Sequence, residues 1–213
     1  GDQIVVRSQA GKARFYGGKT NPTEKRTNIK SRLVFQALRT LIQQAEQILI
    51  SGHKTPDMDS MGAAIGIYKI IKSFGIPARI IINEDEFNQD IRQLLALDQA
   101  RFLWDEDIFI NKEEAEKYMT DETLVILVDH HRPSLSEAEG LMSGHDVVII
   151  DHHRRGEEFP DQTVFTYIEP YASSTSELIT EFFINMRNTN EALNKFEATA
   201  LLAGVIVDTN NFS

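Results

Sequence analysis

The chain has 213 residues, no cysteine and a formal net charge of −10, from 22 Lys and Arg against 32 Asp and Glu. This length is enough for one large domain, or a domain with an appendage, built around a full α/β core. The lack of cysteine excludes disulfides and thiolate metal sites, so any metal ion must be bound by carboxylate and imidazole. No apolar run approaches the ~18–20 residues that span a bilayer, and the first residues lack the apolar stretch of a signal peptide.

Charge is unevenly distributed along the chain. Residues 1–32 carry +6, which leaves −16 on residues 33–213. We therefore divide the chain into a basic N-terminal linker or docking segment, 1–32, and an acidic body, 33–213. A nucleic-acid or lipid patch in the basic segment is the alternative, whereas the acidic body is a poor platform for long nucleic acid. Because the chain opens with Gly1 and not Met, we expect a piece of a longer protein.

Strand and helix signals alternate along the acidic body. Short apolar runs, mostly β-branched, predict buried strands at 48–50, 78–83, 102–104, 124–128, 147–150 and 164–168. Apolar residues at helical spacing, with capping and stop signals, predict helices at 33–47, 59–74, 88–97, 112–119, 136–142, 174–186 and 195–208. Gly62 and Gly66 would let the second helix approach the sheet closely. This βαβ array predicts an α/β fold with a doubly wound, mainly parallel sheet and helices on both faces.

Polar clusters follow two of these strands. Asp151-His152-His153 follows the strand at 147–150, and Asp129-His130-His131 follows the strand at 124–128. Open parallel sheets place their active sites at the carboxyl ends of their strands. In a plainer interpretation, one imidazole of such a pair caps a strand and the other is solvated.

Other acids and an imidazole could join these clusters. His53, Asp57 and Asp59 span a loop and a helix start, a spacing that can fold a His and two carboxylates around a pair of ions, and Asp208 lies near the end of the last helix. Taken singly, each acid is more often a cap or turn residue. Together they form an oxygen and imidazole set, which Mn²⁺ prefers and which Mg²⁺ or Fe²⁺ accepts less strongly. So many acids in one pocket would repel one another without divalent charge.

These residues resemble the four motifs of the DHH phosphoesterase superfamily, which includes RecJ-type exonucleases, oligoribonucleases and manganese pyrophosphatases. The matching positions are His53-x3-Asp57-x-Asp59-x2-Gly62, Asp129, Asp151-His152-His153 and Asp208. Longer runs resemble the GdpP-type cyclic-di-AMP phosphodiesterase branch, at 52–67, 151–159, 172–175 and 203–212, and the leader resembles its connector at 16–18 and 24–27. The resemblance covers nearly the whole chain and implies that 33–213 is a DHH catalytic domain.

The resemblance implies an enzyme that hydrolyses cyclic-di-AMP to linear pApA with a hydroxide between two Mn²⁺ ions. Asp129 would bridge both ions. The other implied ligands are His53 and Asp57 for one ion, and Asp59, His152 and Asp208 for the other. The implied catalytic pair is His153, which would donate a hydrogen bond or a proton near the phosphate, and Asp151, which would orient a ring nitrogen.

One position departs from the resembled branch, in which Asp-Thr-His is expected where this chain has Asp129-His130-His131. His130 creates a second apparent DHH triplet, and the Arg154-Arg155-Gly156 continuation favours the later one. Either arginine could pair with a phosphate or be solvated. The resemblance further implies a nucleotide-gripping C-terminal lobe outside this sequence. It also places the whole protein on the cytoplasmic side of the cell membrane, and a homodimer is possible.

The sequence is also compatible with two alternative functions. They are a RecJ- or oligoribonuclease-like activity on short single strands, and a regulatory module that binds nucleotides through metal ions without turnover. The acidic body and the absence of an aromatic and basic groove for stacked bases argue against the nuclease. The expected partner is a cyclic dinucleotide and not long nucleic acid.

Overall fold

The computed structural model describes residues 5–6, 28–186 and 192–209. The α-helices are α1 (Asn28–Gln44), α2 (Met58–Ser73), α3 (Gln89–Leu95), α4 (Phe102–Asp105), α5 (Lys112–Tyr118), α6 (Thr175–Asn185) and α7 (Lys195–Asp208). The strands are β1 (Val5–Val6), β2 (Gln47–Ser51), β3 (Ala78–Ile81), β4 (Phe109–Ile110), β5 (Thr123–Val128), β6 (Val147–Asp151) and β7 (Thr163–Ile168). Most of the basic segment 1–32, including its resemblance at 16–18 and 24–27, lies outside the described residues, as does the end of the resemblance at 210–212.

Strands β2 to β7 form a parallel sheet, and β1 pairs antiparallel with β7. The strand order is β1-β7-β6-β5-β2-β3-β4, which confirms the predicted doubly wound, mainly parallel α/β sheet. From β2 the chain builds β3 and β4 on one side, and then returns to build β5, β6 and β7 on the other. The order therefore reverses between β2 and β5, which pair directly, with Ser51 opposite Leu127. Open α/β sheets bind ligands at such a switch point, beyond the carboxyl ends of the strands.

The two faces of the sheet are covered unequally. Ile48 and Ile50 of β2 belong to the larger core, which packs under α1, α2, α6 and α7. Leu49, on the opposite face, packs with Ala115 of α5 and with Ala138. Successive side chains of a strand point to opposite faces, so a run of apolar residues in β2 fills both cores. Helices lie on both faces as predicted, with most of them on one face.

The glycines of α2 make a different contact from the predicted one. A Cβ added to Gly62 of α2 would lie 2.5 Å from the carbonyl oxygen of Ala200 in α7. In the same way, a Cβ added to Gly204 of α7 would lie 3.0 Å from the Cα of Asp59 in α2. The prediction that Gly62 and Gly66 face the sheet is therefore wrong, because this side of α2 packs against α7. The two helices run antiparallel, which brings the end of α7 beside the start of α2.

Two predicted elements are wrong. Residues 102–104, predicted as a strand, lie in α4, where Leu103 is fully buried and the ring of Phe102 packs against Phe196 with centroids 6.0 Å apart. Short apolar runs do not distinguish a strand from a buried helical turn. The predicted helix at 136–142 is a loop, because Ser136 forms a backbone bridge with His53 and Gly140 takes a φ of +87°, outside the helical range.

The start of α1 also differs from prediction. This helix begins at Asn28, so the boundary predicted after residue 32 falls inside it. None of the helices in the described part of the chain is long and apolar enough to cross a membrane.

Candidate metal centre

The predicted ligands converge at the carboxyl edge of the sheet, beside the switch point. Strands β2, β5 and β6 are followed or ended by His53, Asp129 and Asp151-His152. The start of α2 and the end of α7 contribute Asp57, Asp59 and Asp208. The parallel strands bring the residues that follow them to one edge of the sheet. The antiparallel packing of α2 and α7 brings the three helix residues to the same edge.

The first group consists of His53, Asp57 and Asp129. The Nε2 atom of His53 lies 3.3 Å from Asp129 Oδ2 and 3.8 Å from Asp57 Oδ2. Each residue offers one ligand atom, and the three atoms lie within 4.8 Å of one another. Asp57 is also the N-cap of α2, where its Oδ1 accepts a hydrogen bond of 2.9 Å from the Ser60 N–H. Capping fixes this carboxylate while leaving its Oδ2 for the group.

The second group consists of Asp59, His152 and Asp208, again with ligand atoms within 4.8 Å of one another. The Nε2 atom of His152 lies 2.9 Å from Asp208 Oδ2 and 3.8 Å from Asp59 Oδ2. It also lies 3.5 Å from Asp129 Oδ1. Asp129 therefore presents one carboxylate oxygen to each group.

Negative charge accumulates between the two groups. Burial, and then the carboxylates of Asp59 and Asp57, raise the pKa of Asp129 well above its usual range. Burial also raises the pKa of Asp59. The buried Nε2 of His152 has no aligned hydrogen-bond partner among the described residues, although the Asp208 carboxylate is close. Divalent cations between these atoms would offset the repulsion, so the oxygen and imidazole set fits the predicted ions.

The N-terminus of α6 supports both groups. Backbone N–H groups of Thr175 and Ser176 donate to the two oxygens of Asp59 at 2.6 and 2.7 Å, and the Thr175 hydroxyl donates to Asp129 Oδ1 at 3.0 Å. Sequence reasoning placed Asp59 at the start of its own helix and did not assign Thr175 a role. Ser174 caps α6, because its hydroxyl accepts from the Glu177 N–H, and the Glu177 carboxylate accepts from the Ser173 N–H.

The model of the DHH family, N-terminal domain, matches residues 47–205. The chain belongs to the DHH family. Over its whole length it is 44% identical to the cyclic-di-AMP phosphodiesterase GdpP of Bacillus subtilis and 46% identical to that of Geobacillus thermodenitrificans, and it spans 32% of the length of each. A solved exopolyphosphatase-related protein from Bacteroides fragilis shares the fold, with a TM-score of 0.64 and 19% identity over 85% of this chain and 52% of that chain. The predicted resemblance is confirmed.

Within the DHH domain, Asp151 connects the two His-His pairs. Its Oδ1 accepts from the backbone N–H of His153 at 3.0 Å and contacts the His153 Nδ1 at 2.9 Å, and its Oδ2 contacts the His131 Nδ1 at 2.6 Å. Burial opposes ionisation of Asp151, but hydrogen bonds from His131 and His153 outweigh it and lower the pKa of this carboxyl. The hydrogen bond between the Asp151 carboxylate and the His153 ring raises the pKa of His153. Asp151 thus holds the predicted catalytic imidazole, and it also holds His131, which sequence reasoning did not single out.

The earlier triplet spreads its side chains in three directions. Asp129 takes a φ of +64°, a left-handed conformation that Asp tolerates better than most residues, so the chain turns sharply after β5. Asp129 faces the metal groups, and His131 faces Asp151. His130 is buried, its Nδ1 lies 2.8 Å from the Val128 carbonyl oxygen, and burial lowers its pKa to about 4. His130 joins none of the metal groups found among the described residues.

Proposed function

We propose that this chain is the catalytic domain of a metal-dependent cyclic-di-AMP phosphodiesterase, with residues 33–213 as that domain. One Mn²⁺ would be held by the first group, and a second by the second group, with Asp129 shared. The observation that carries this proposal is the Asp129 carboxylate, whose Oδ2 lies 3.3 Å from His53 Nε2 and whose Oδ1 lies 3.5 Å from His152 Nε2. A carboxylate placed between two ligand groups is suited to bridge two ions.

Bound ions, His153 and Asp151 would have different roles in the cleavage of a phosphodiester. Bound divalent ions would lower the pKa of a water molecule and neutralise charge on the phosphoryl oxygens. His153, whose side chain is 56% exposed, contacts Asp151 through Nδ1 at 2.9 Å, which leaves Nε2 to donate to a phosphate or leaving oxygen. Asp151 keeps that ring oriented, as carboxylates commonly do for functional imidazoles.

The relatives, and not the metal groups alone, support the proposed substrate. Two relatives at 44% and 46% identity carry the name cyclic-di-AMP phosphodiesterase, and the match extends over the whole of this chain. Hydrolysis of one of the two phosphodiesters of that ring gives linear pApA, which we propose as the product. For the full-length protein we propose a place on the cytoplasmic side of the cell membrane.

One incubation tests this function against its alternatives. The Mn²⁺-loaded protein is mixed separately with cyclic-di-AMP, pApA and a short DNA strand, and the products are resolved by chromatography. We expect pApA from cyclic-di-AMP and little change in the DNA. Shortening of the DNA strand with no loss of cyclic-di-AMP would instead indicate a nuclease, and binding without any product would indicate a regulatory module.

A further inference from the structure

A cavity of about 680 Å³ opens onto the first metal group. Its acidic and imidazole lining includes His53, Asp57, Asp129, Asp151 and His153. Its lining also includes three cationic side chains, here called the cationic wall: Lys54, Arg132 and Arg154. Ligand pockets commonly enclose roughly 300–1,000 Å³, so a cavity of this size can enclose a dinucleotide.

The cationic wall is built from three segments that are joined to one another. The Lys54 N–H donates to the Leu135 carbonyl oxygen at 2.8 Å, which ties the His53 loop to the turn after β5. The backbone N–H and the hydroxyl of Ser134 donate to the two carboxylate oxygens of Glu158 at 2.7 and 2.8 Å, which ties the same turn to the loop after β6. These bonds fix the backbone of the three segments relative to one another before a ligand binds, and preorganisation of this kind lowers the cost of binding. The Lys54 ammonium is already paired with the Glu139 carboxylate.

Arg154 and Arg155, which the sequence did not distinguish, differ in their position relative to the cavity. Arg154 is exposed, lines the cavity, and makes no hydrogen bond or ion pair with the other described residues. The Arg155 guanidinium lies over the ring of Phe159, 4.6 Å from its centroid, and is not part of the cavity lining. Of the two cations, only Arg154 is available to a ligand in the cavity.

We propose that the cationic wall binds the second, uncleaved phosphate of a cyclic dinucleotide while the first phosphate lies at the metal groups. This inference rests on the proposed function and adds a specificity determinant to it. A cyclic dinucleotide carries two phosphodiesters, and the ions neutralise only the one beside them. A guanidinium offers forked N–H donors that match the oxygens of the other. A ligand with a single phosphodiester can occupy only one of the two places.

Calorimetry with two ligands tests the wall. The protein is loaded with Ca²⁺, which takes the same oxygen ligands, and titrated with cyclic-di-AMP and with 3′,5′-cyclic AMP, which has one phosphodiester. Arg154→Gln should weaken cyclic-di-AMP binding roughly tenfold, as expected for one charge-assisted hydrogen bond, and should reduce the dependence of that binding on KCl. The loss for 3′,5′-cyclic AMP should be about twofold or less.

Arg155→Gln is the matched control, because it removes the same charge from the next residue but outside the cavity. It should leave both affinities at their wild-type values. Equal losses in the two variants, or equal losses for the two ligands, would overturn the cationic wall. Wild-type turnover of cyclic-di-AMP with Mn²⁺ would then leave the proposed function standing, whereas a wild-type protein that neither binds nor hydrolyses cyclic-di-AMP would overturn both.

Discussion

The hydroxyl of Thr175 donates a hydrogen bond of 3.0 Å to Asp129 Oδ1. Thr175→Val keeps the shape of the side chain and removes this donor from the carboxylate between the two metal groups. We expect Mn²⁺ affinity to fall about tenfold, the lower end of the effect typical of groups that orient metal ligands. Thr175→Ser retains the hydroxyl and should bind as the wild type does. Titration calorimetry with Mn²⁺ measures both variants, and equal affinity in the Val variant would show that Asp129 needs no donor.

Asp129→Asn should act in opposite directions on the metal-free and the metal-loaded protein. Burial raises the pKa of Asp129 above its unfolded value of 3.8, so its ionised form destabilises the metal-free fold at neutral pH. The neutral amide lacks this penalty, and the Tm in EDTA should rise. Mn²⁺ should stabilise the wild type by binding and should stabilise this variant least of the single ligand variants, because Asp129 faces both groups.

Scanning calorimetry with and without Mn²⁺ measures these changes. Asp57→Asn is the control, since its side chain is 45% exposed and belongs to the first group only. It should lose part of the Mn²⁺ stabilisation and gain little in EDTA. An Asp129→Asn protein that Mn²⁺ stabilises as strongly as the wild type would contradict a shared ligand.

Local sequence was sufficient to predict the parallel sheet and the edge that carries the site. The apolar residues of β5 and β6 are fully or nearly fully buried, and runs of this kind indicate central strands. An acid follows β5 directly and another ends β6, so the polar residues had to meet at one edge. His53, Asp129 and His152 lie together because each follows a buried strand, whereas Asp57, Asp59 and Asp208 join them through the packing of α2 against α7.

Contacts between distant residues could not be predicted in this way. Thr175 lies 46 residues from Asp129, and His131 lies 20 residues from Asp151, and no periodicity links either pair. The direction of each side chain in 129–131 depends on the left-handed backbone conformation of Asp129, which the sequence pattern does not predict. The prediction of a strand at 102–104 was wrong for a related reason. Tertiary packing of Phe102 on Phe196 decides the conformation of this short apolar run.

Substitution distinguishes the two apparent triplets. His152→Ala and His153→Ala should each lower kcat by about 10²-fold or more, the scale of losing a ligand or a proton donor. His130→Thr should change kcat by less than about threefold, because this ring joins none of the described metal groups, although the smaller side chain should lower the Tm. Steady-state rates with cyclic-di-AMP give the ranking. A reversed order would place the chemistry on the earlier strand.

Metal identity should follow the ligand set. Carboxylate and imidazole ligands without sulfur favour Mn²⁺, so Mn²⁺ should support more activity than Zn²⁺ or Ca²⁺. EDTA should abolish turnover, and added Mn²⁺ should restore it. Rates measured across a series of metal-buffered solutions give this order. Unchanged turnover after exhaustive chelation would contradict the two-metal proposal.

His131 is held as a single tautomer by two hydrogen bonds. The Gly156 N–H donates to His131 Nε2 at 2.8 Å, so that nitrogen carries no proton, and the Nδ1–H donates to Asp151 Oδ2 at 2.6 Å. The other oxygen of Asp151 contacts His153 at 2.9 Å. His131 is therefore in a position to orient His153 through Asp151, and to hold the loop after β6 through Gly156.

Two variants separate these roles. His131→Asn can keep an N–H near the former Nδ1, and His131→Gln can place an acceptor near the former Nε2. If His131 acts through Asp151, His131→Asn should retain most of kcat, and His131→Gln should lose about tenfold, with KM changed little in either. Both variants lose one bond of a buried ring, so their Tm values should fall by similar amounts. A kcat loss that simply follows the fall in Tm would show that His131 only packs.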